Sequence, residues 1–403
     1  SKHPLQPFGA AYFQATSSLF TYADEWQELH QDNGGGAAAT NDPTALPAWS
    51  PEGAIKLSHL TGLLADPVSA LFQQRLSTSM RDDDSLTEDD EPFAFAGLSK
   101  WQQREALMQP LGQRLAHSPA LDLTEAFSQE VARAQRAGHY PPAPVGPIIR
   151  ETLLERLPDA LMTYRDLLER YPFPLQVPPR LVFDSGIPLP GLTERKRESE
   201  RGDRESPTLQ LDDTLSSLHM SGSEVARIVL LTSQIHQGSD LNWRHILRHW
   251  PAHLALQLHY PRATSYLVSP SGTLEIPGMT AEEAEARLTS LMARWLDAMQ
   301  AVTPTHPTLA FAALSWYPAA GDASWPPDDL HHHPKLRKEW EESWEHFPER
   351  LPLVLREFPT LDALVNADGF GDASRELYAD LHTWDTTGRE NATGASTSEE
   401  ETP

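Results

Sequence analysis

The sequence predicts an α/β fold with a central mixed sheet flanked by helices, and residues 209–260 are the main reason. Leucines alternate at Leu209, Leu211 and Leu215, and a turn follows at residues 220–223. The run Val225–Leu231 is nearly all apolar. Such a short run, rich in Val and Ile, fits a strand buried on both faces. An aromatic, basic helical pattern comes next, so we expect the central sheet within this stretch.

Charge limits the kind of partner that this chain can bind. Its 403 residues suffice for two domains, or for one large domain with insertions. They include 32 Lys and Arg against 57 Asp and Glu, which gives a formal net charge of −25. Nucleic-acid binding without sequence preference depends on a basic surface that neutralises phosphates. Any contact with DNA therefore has to be local, or helped by a partner.

The sequence lacks the patterns of several classes of site. Without cysteine it has no disulfide, thiolate metal site or cysteine nucleophile, which is compatible with the cytoplasm. No apolar run approaches the roughly 20 residues of a membrane helix, and no signal-peptide pattern opens the sequence. There is no Gly-x-x-x-x-Gly-Lys-Ser/Thr phosphate loop either. We expect a cytoplasmic chain that binds no cofactor and no metal ion.

The domain organisation follows from changes in composition. Residues 31–54, rich in Gly, Ala and Pro, are interpreted as a flexible linker or insertion. We expect one domain over residues 55–385, with a charged insertion at residues 188–207, and a disordered tail over residues 386–403. Residues 1–30, with a short helix at 22–29, would be the end of a preceding region.

Further elements of the domain are predicted from apolar spacing. Two short helices are expected within residues 57–76, separated by a break at Asp66 and Pro67, and further helices are expected at 101–107, 121–137, 148–170, 281–301, 335–347 and 373–384. Pro158 should kink or split the helix at 148–170. Strands are expected at 180–184, 265–269, 273–276 and 309–316.

Five phrases in a fixed order carry a family resemblance. They are HPLQPFGAAYF at 3–13, LSHLTGLLADPVSALFQQRL at 57–76, EPFAFAGLSKWQQREALM at 91–108, ARAQRAGHYPPAPVG at 132–146 and ELYADLHTW at 376–384. With these phrases the sequence resembles the C-terminal region of the RecC family, the gamma subunit of exodeoxyribonuclease V. The resemblance implies a fold like that of the RecB-type nucleases, of the PD-(D/E)XK class, with the catalytic residues lost. Residues 1–30 would then end a helicase-like region.

The resemblance also implies a function and partners. In that family the protein is the subunit that holds a bacterial helicase–nuclease complex together. Its partners are a RecB-like helicase–nuclease subunit and a RecD-like helicase subunit. It guides the separated DNA strands and helps to split the duplex, during the processing of double-strand ends for recombinational repair. We therefore predict a non-catalytic scaffold with a DNA-guiding role. A DNA-free protein interaction module is an alternative.

The positions at which RecB-type nucleases perform chemistry carry other residues here. Such enzymes need carboxylates for Mg²⁺ and a lysine that positions or activates water. Arg150 stands at the position of the family's His, and the first expected Asp falls near Ser216, with Asp212 and Asp213 close by. The Asp-x-Lys motif is replaced by Leu230, Leu231, Thr232 and Ser233. Together these differences predict an inactive site.

One literal match to the active motif remains in Asp184, Glu194 and Lys196. In this alternative the chain is an active metal-dependent nuclease, in which the two carboxylates hold the metal and Lys196 is catalytic. Glu194 and Lys196, however, lie in a hydrophilic segment flanked by Pro and Gly. The chemistry requires both on a rigid strand, so we predict no catalytic residue.

Two basic segments are candidates for DNA contact. The first is the cluster Arg195, Lys196, Arg197, Arg201 and Arg204, whose charge is nearly cancelled by interleaved acidic residues, so that a solvated loop is the alternative. The second contains Trp243, Arg244 and Arg248. Stacking rings combined with cations suit single-stranded DNA. The alternative for this segment is a helix whose aromatic residues face the core.

Overall fold

The computed structural model describes residues 46, 48–78, 97–137, 154, 156–175, 177–190, 207–237, 240–316, 332–345 and 352–382. Apart from Leu46, these residues belong to one compact unit, residues 47–403. The predicted helix at 22–29, most of the predicted linker and the predicted tail lie outside the described residues.

The strands are β1 (Phe173–Pro174), β2 (Arg180–Pro188), β3 (Thr208–Thr214), β4 (Leu218–Ser221), β5 (Glu224–Leu230), β6 (His236–Gln237), β7 (Asp240–Leu241), β8 (Thr264–Ser269) and β9 (Gly272–Ile276). A five-stranded mixed sheet in the order β1-β4-β5-β8-β9 forms the centre. Only β5 and β8 pair in parallel, with Ala226 opposite Thr264, and the other pairs are antiparallel. The predicted strand over Val225–Leu231 and the predicted hairpin after it are confirmed.

The helices are α1 (Leu57–Ala65), α2 (Pro67–Ala70), α3 (Gly97–His117), α4 (Leu123–Arg136), α5 (Leu157–Arg170), α6 (Trp243–Ile246), α7 (Trp250–His259), α8 (Ala281–Ala298), α9 (Pro307–Trp316), α10 (Pro334–Trp340), α11 (Pro352–Glu357), α12 (Leu361–Val365) and α13 (residues 370–382). Short π-helical turns over Leu71–Arg75 and Glu341–Glu345 extend α2 and α10. Arg156, with a left-handed φ of 61°, precedes α5, and Pro158 lies in its first turn. The predicted break near Pro158 is thus confirmed.

Helices cover both faces of the central sheet. Ala226 and Ile228 of β5 pack in a core cluster with Leu111 of α3 and Leu161 of α5. Val225, on the opposite face, belongs to a second cluster that contains residues of α1, α7 and α8. Side chains alternate between the faces of a strand, so β5 is buried from both sides. The centre of the molecule is therefore a three-layer α/β arrangement.

The strand predicted around Leu209 lies outside the central sheet, which corrects our prediction. β3 instead pairs antiparallel with β2 in a separate two-stranded ribbon, with Phe183 opposite Leu211. Leu209 and Leu211 are fully buried in the larger core cluster, so the alternation of burial was predicted correctly. Alternation indicates which side chains face a core, but it does not identify the strand with which a segment pairs.

The predicted strand at 309–316 is wrong, because this segment is the helix α9. The side chains from Leu309 to Leu314 are all buried. Ala310 and Phe311 pack in the cluster of the central sheet, whereas Leu309 and Ala313 pack in a third, all-helical cluster. A segment that is apolar all round has neither strand nor helix periodicity, and a ten-residue run fits both.

The C-terminal helix α13 closes the core around the N-terminal part of the unit. The Tyr378 hydroxyl, fully buried, donates a hydrogen bond of 2.9 Å to the backbone carbonyl of Leu64 in α1. A second buried hydrogen bond, of 2.6 Å, joins the hydroxyls of Thr305 and Ser374. Residues that are far apart in the chain are thus joined in one core.

Candidate nucleic-acid interface

Asp184 lies on β2 and is exposed, but its carboxylate is used within the ribbon. It accepts hydrogen bonds from the Gly186 amide at 2.9 Å and the Thr208 hydroxyl at 2.9 Å. The Gln210 side chain approaches it at 3.4 Å. The Gly186 amide is the main cause of the lowered pKa of Asp184, followed by the Thr208 hydroxyl. Glu194 and Lys196, the other two residues of the literal nuclease match, lie outside the described residues.

Asp212 and Asp213, the carboxylates nearest to the first expected nuclease Asp, also have partners. The Arg180 guanidinium contacts the Asp212 carboxylate through Nε at 2.9 Å and Nη2 at 2.6 Å. This hydrogen bonding lowers the pKa of Asp212. Asp213 accepts the amide of Leu57, the first residue of α1, at 2.8 Å. Both carboxylates therefore join β3 to neighbouring elements, while Ser216 lies exposed between β3 and β4.

The C-terminal end of β5 packs against α3. The Thr232 hydroxyl donates to the Glu105 carboxylate, and the Trp101 indole donates to the Ser233 hydroxyl at 3.2 Å. A Cβ atom on Gly112 of α3 would lie 2.8 Å from a methyl carbon of Leu230, so the helix approaches the strand closely. The residues that replace the Asp-x-Lys motif thus form a contact between a strand and a helix. Arg150 lies outside the described residues.

The second basic segment lies in the crossover between the parallel strands β5 and β8. It begins with α6, continues through a 3₁₀ turn at Leu247–His249 and ends with α7. The half-buried Trp243 ring stacks on Phe311 of α9, with the ring centres 4.5 Å apart and the planes 8° apart. One face of this indole is therefore covered by the protein core.

Arg244 and Arg248 are exposed cations of the first half of this crossover. They are about one helical turn apart. Within the described ranges, no carboxylate forms a salt bridge with either guanidinium. The backbone carbonyl of Arg248 accepts a hydrogen bond from Thr61 of α1 at 3.3 Å, which connects this turn to the core. The first basic cluster, Arg195, Lys196, Arg197, Arg201 and Arg204, lies outside the described residues.

A surface groove of about 390 Å³ lies between α8 and α13, with Trp250 and Leu291 among its lining residues. Its charged lining residues have partners within the protein. Arg287 contacts Asp380 at 3.0 Å, Glu376 contacts Arg294 at 2.9 Å, and Glu283 caps the N-terminus of α8. This groove was not predicted from the sequence, since its walls are far apart in the chain.

Arg227, in the middle of β5, is a second feature that the sequence analysis missed. It is 8% exposed, and its Nη2 lies 3.5 Å from Nδ1 of the buried His249. Burial lowers the pKa of Arg227 to about 10. Burial also lowers the pKa of His249 to about 3, and Arg227 adds to this shift. The available signal was a charged residue inside an otherwise apolar strand.

Two further classes of site are absent from the described part of the chain. No three His, Asp or Glu side chains there come together in a group that could hold a metal ion. No helix there is long and apolar enough to cross a membrane.

The fold and its carboxylates define an α/β domain in which Asp184, Asp212 and Asp213 form hydrogen bonds within the domain itself. The family model of the RecC C-terminal domain matches residues 52–317, which is more than half of the chain. The chain therefore belongs to this family, as its sequence resemblance predicted. A relative, the RecBCD enzyme subunit RecC of Escherichia coli strain K12, is 35% identical over 109 residues. That match covers 27% of this chain and 9% of the relative.

Proposed function

We propose that this chain is a non-catalytic scaffold and DNA-guiding part of a bacterial helicase–nuclease that processes double-strand DNA ends for repair. Its membership of the RecC family supports this proposal, since the E. coli relative is named as a subunit of the RecBCD enzyme. The partners would be a RecB-like helicase–nuclease subunit, a RecD-like helicase subunit and DNA. The chain would act in the cytoplasm and would need no cofactor of its own.

The contact between the C-terminal end of β5 and α3 is the observation that supports the non-catalytic part of the proposal. In a nuclease of the PD-(D/E)XK class, a carboxylate and a lysine at the end of a central strand would meet metal and phosphate. Here Thr232 and Ser233 contact Glu105 and Trp101 of α3. Packing of this kind favours a nuclease-like domain in which the sheet has a structural role and the catalytic residues are lost.

The exposed pair Arg244 and Arg248 supports the DNA-guiding part. Guanidinium groups bind phosphate oxygens through paired donors, and contacts of this kind position DNA without reading its sequence. Two such cations make a local basic site on a chain whose net charge is −25. Because Trp243 stacks on Phe311, we propose that this segment contacts phosphates and does not stack on bases.

The non-catalytic role is tested by incubating the purified chain with linear duplex and single-stranded DNA in Mg²⁺ or Mn²⁺. We expect no degradation by the wild type or by the Lys196→Ala variant. Cutting by the wild type but not by the variant would establish the nuclease alternative with Asp184, Glu194 and Lys196.

The DNA-guiding role is tested in the reconstituted complex with the double variant Arg244→Ala/Arg248→Ala. Each lost phosphate contact should reduce the slope of log binding constant against log salt by about 1. Unwinding of duplex should also weaken. The matched control is Arg133→Ala on α4, whose side chain is 75% exposed and pairs with Glu130 within one helix turn.

The DNA-free interaction module makes a different prediction for the same complex. Neither the double variant nor deletion of residues 190–206 would then change DNA binding or unwinding. Unchanged behaviour of both variants would overturn the DNA-guiding proposal and leave the scaffold role.

A further inference from the structure

The strand β2 is the outer strand of the two-stranded ribbon. Within the described residues its strand partner is β3, and β3 in turn has a bridge to Ile55 on its other side. The Ile55 amide donates to the Gln210 carbonyl at 2.7 Å, and the Asp212 amide donates to the Ile55 carbonyl at 3.0 Å. Backbone groups of successive strand residues point to alternate edges. The even-numbered residues of β3 therefore face Ile55, and odd-numbered ones such as Leu211 face β2.

The same alternation shows which backbone groups of β2 point away from the ribbon. Leu211 lies opposite Phe183, so the backbone groups of Phe183 face β3. The amides and carbonyls of Arg180, Val182 and Asp184 then point to the opposite side, which we call the open edge. In the described part of the chain no backbone hydrogen bond involves these groups, and all three residues are exposed.

The open edge lacks the features that usually protect an edge strand. Natural proteins block such edges with lysine, proline or a bulge, because unpaired backbone groups are a template for another strand. Pro179 precedes the open edge, and a bulge after Asp184 ends it. The residues between them include neither lysine nor proline. Val182, in the middle, is 60% exposed. A further strand can therefore pair with this part of β2.

The side chains of the open edge make it complementary to itself. Arg180 and Asp184 are each two positions from Val182, so all three side chains share one face of the strand. In an antiparallel pair centred on Val182, this valine would lie opposite the valine of a second copy. Arg180 of each copy would lie opposite Asp184 of the other. Cross-strand pairs of β-branched side chains and of opposite charges are stabilising.

Both charged side chains have capacity for this additional contact. Arg180 uses Nε and Nη2 to bind Asp212, which leaves Nη1 of its guanidinium for a second carboxylate. Its side chain is 70% exposed. The Oδ1 atom of Asp184 accepts from the Gly186 amide, and a carboxylate oxygen can accept a second hydrogen bond. The existing contacts of the ribbon and the new pairs are therefore compatible.

We propose that the open edge of β2 pairs antiparallel with the open edge of a second copy of this chain, about a two-fold axis at Val182. Each copy would donate the amides of Arg180, Val182 and Asp184 to carbonyls of the other. The contact is isologous, as in most homodimers. Because residues 180–184 form a small interface, the dimer would be weak and would form at high protein concentration. This inference does not depend on the proposed function.

Sedimentation of the purified full chain tests the proposal. We expect the mass to rise from one copy to two over about a hundredfold range of protein concentration. Val182→Lys should remain a monomer, since it places like charges opposite each other. Val177→Lys is the matched control, because Val177 is 80% exposed but precedes the open edge, and it should dimerise like the wild type. A wild type that is monomeric throughout would overturn the proposal.

Cross-linking tests the position of the two-fold axis. The chain lacks cysteine, so Val182→Cys introduces a single thiol. In a hydrogen-bonded antiparallel pair the Cα atoms lie about 5.5 Å apart, which a disulfide can bridge. Under mild oxidation Val182→Cys should form a covalent dimer at least about tenfold faster than Val177→Cys, because pairing raises the effective thiol concentration. Equal rates would contradict an axis at Val182.

The same variants distinguish a second copy from a partner subunit. A monomeric wild type, together with weaker assembly of Val182→Lys with the RecB-like and RecD-like subunits, would assign the open edge to a partner strand. That result would overturn pairing between copies of this chain. Normal assembly of Val182→Lys, together with loss of its dimer, would support the pairing.

Discussion

Gly278 lies where two backbone segments nearly touch. A Cβ atom at this position would be 2.1 Å from the carbonyl carbon of Arg262 and 2.3 Å from its Cα. Arg262 has a left-handed φ of 66°, and its amide donates to the carbonyl of Met279 at 3.0 Å. Because the opposing atoms are backbone, no side-chain rotation can relieve the overlap. Packing therefore requires a glycine at position 278, although the sequence alone shows only a glycine in a loop.

Gly278→Ala should destabilise the connection between β9 and α8. Forcing extra atoms into a packed site costs roughly 1–3 kcal/mol. Hydrogen exchange of peptides that cover residues 261–279 measures the local loss. Gly53→Ala is the matched control, because nothing lies within 4 Å of a Cβ atom at Gly53. Equal protection in Gly278→Ala and the wild type would contradict the close approach.

Asp213→Ala should loosen the start of α1. The substitution leaves the Leu57 amide without its acceptor at 2.8 Å, and loss of a comparable cap costs about 1 kcal/mol. Asp213→Asn keeps an acceptor oxygen and should retain most of the stability. Faster exchange in peptides from α1 is the measurement. If Asp213→Asn is as unstable as Asp213→Ala, the negative charge rather than the hydrogen bond is what matters.

At the scale of the elements, local patterns predicted well where a polar face or a flanking turn marks the element. The helix predicted at 281–301 is α8, which Thr280 and Glu283 begin with a reciprocal capping box. The hairpin of β8 and β9 was also predicted correctly, because two short strands surround a Ser–Gly turn. The pairing of β3 with β2 and the helical state of α9 were not. Both depend on contacts with distant segments, which a local pattern does not contain.

In the candidate site, too, contacts between residues that are far apart in the chain were not predicted from the sequence. Arg244 and Arg248 were named as candidates for DNA contact because cations combined with aromatic rings suit single-stranded DNA. The contact of Trp243 with Phe311 required α9 to be placed, and that element was predicted as a strand. Arg227 was missed because its strand was interpreted as a nearly continuous apolar run, and the charged residue within it was given no role. Its partner His249 is 22 residues away in the chain.

The burial of α9 on all sides yields a prediction for substitutions on opposite faces. Ala310 and Ala313 are both fully buried, but in different core clusters. Ala310→Asp and Ala313→Asp should each cost more than about 3 kcal/mol, since each buries an unpaired charge. Thr308→Asp, near the N-terminus of the helix and half-buried, is the control and should be mild. Denaturant unfolding compares the three, and tolerance of either alanine substitution would indicate an exposed face.

At the scale of the whole molecule, buried histidines should make the fold sensitive to acid. Burial lowers the pKa of His245 to about 4, of His249 to about 3, of His253 to about 4 and of His306 to about 4. Below pH 6.5 the unfolded chain therefore binds protons that the folded chain does not, so stability falls as the pH falls. The loss of stability continues until the pH reaches the pKa values of these histidines in the folded protein.

This dependence is measurable between pH 7.5 and pH 5. We expect the urea midpoint of unfolding to fall steadily across the lower part of this range. Carboxylates whose pKa is lowered, such as Asp184 and Asp212, remain ionised there and do not contribute. A midpoint that is the same at pH 7 and pH 5 would show that these histidines are accessible to protons in the native state.

The hydrogen bond between Tyr378 and Leu64 has a consequence for the time at which the fold can be completed. A ribosome makes α1 more than 300 residues before it makes α13, as the separation of 314 positions shows. Until α13 emerges, the apolar residues that will contact Tyr378 stay open to solvent or to chaperones. Synthesis at about 5–20 residues per second makes this interval at least some fifteen seconds. A nascent chain that stalls within it would present an unfinished core to the cell's proteases.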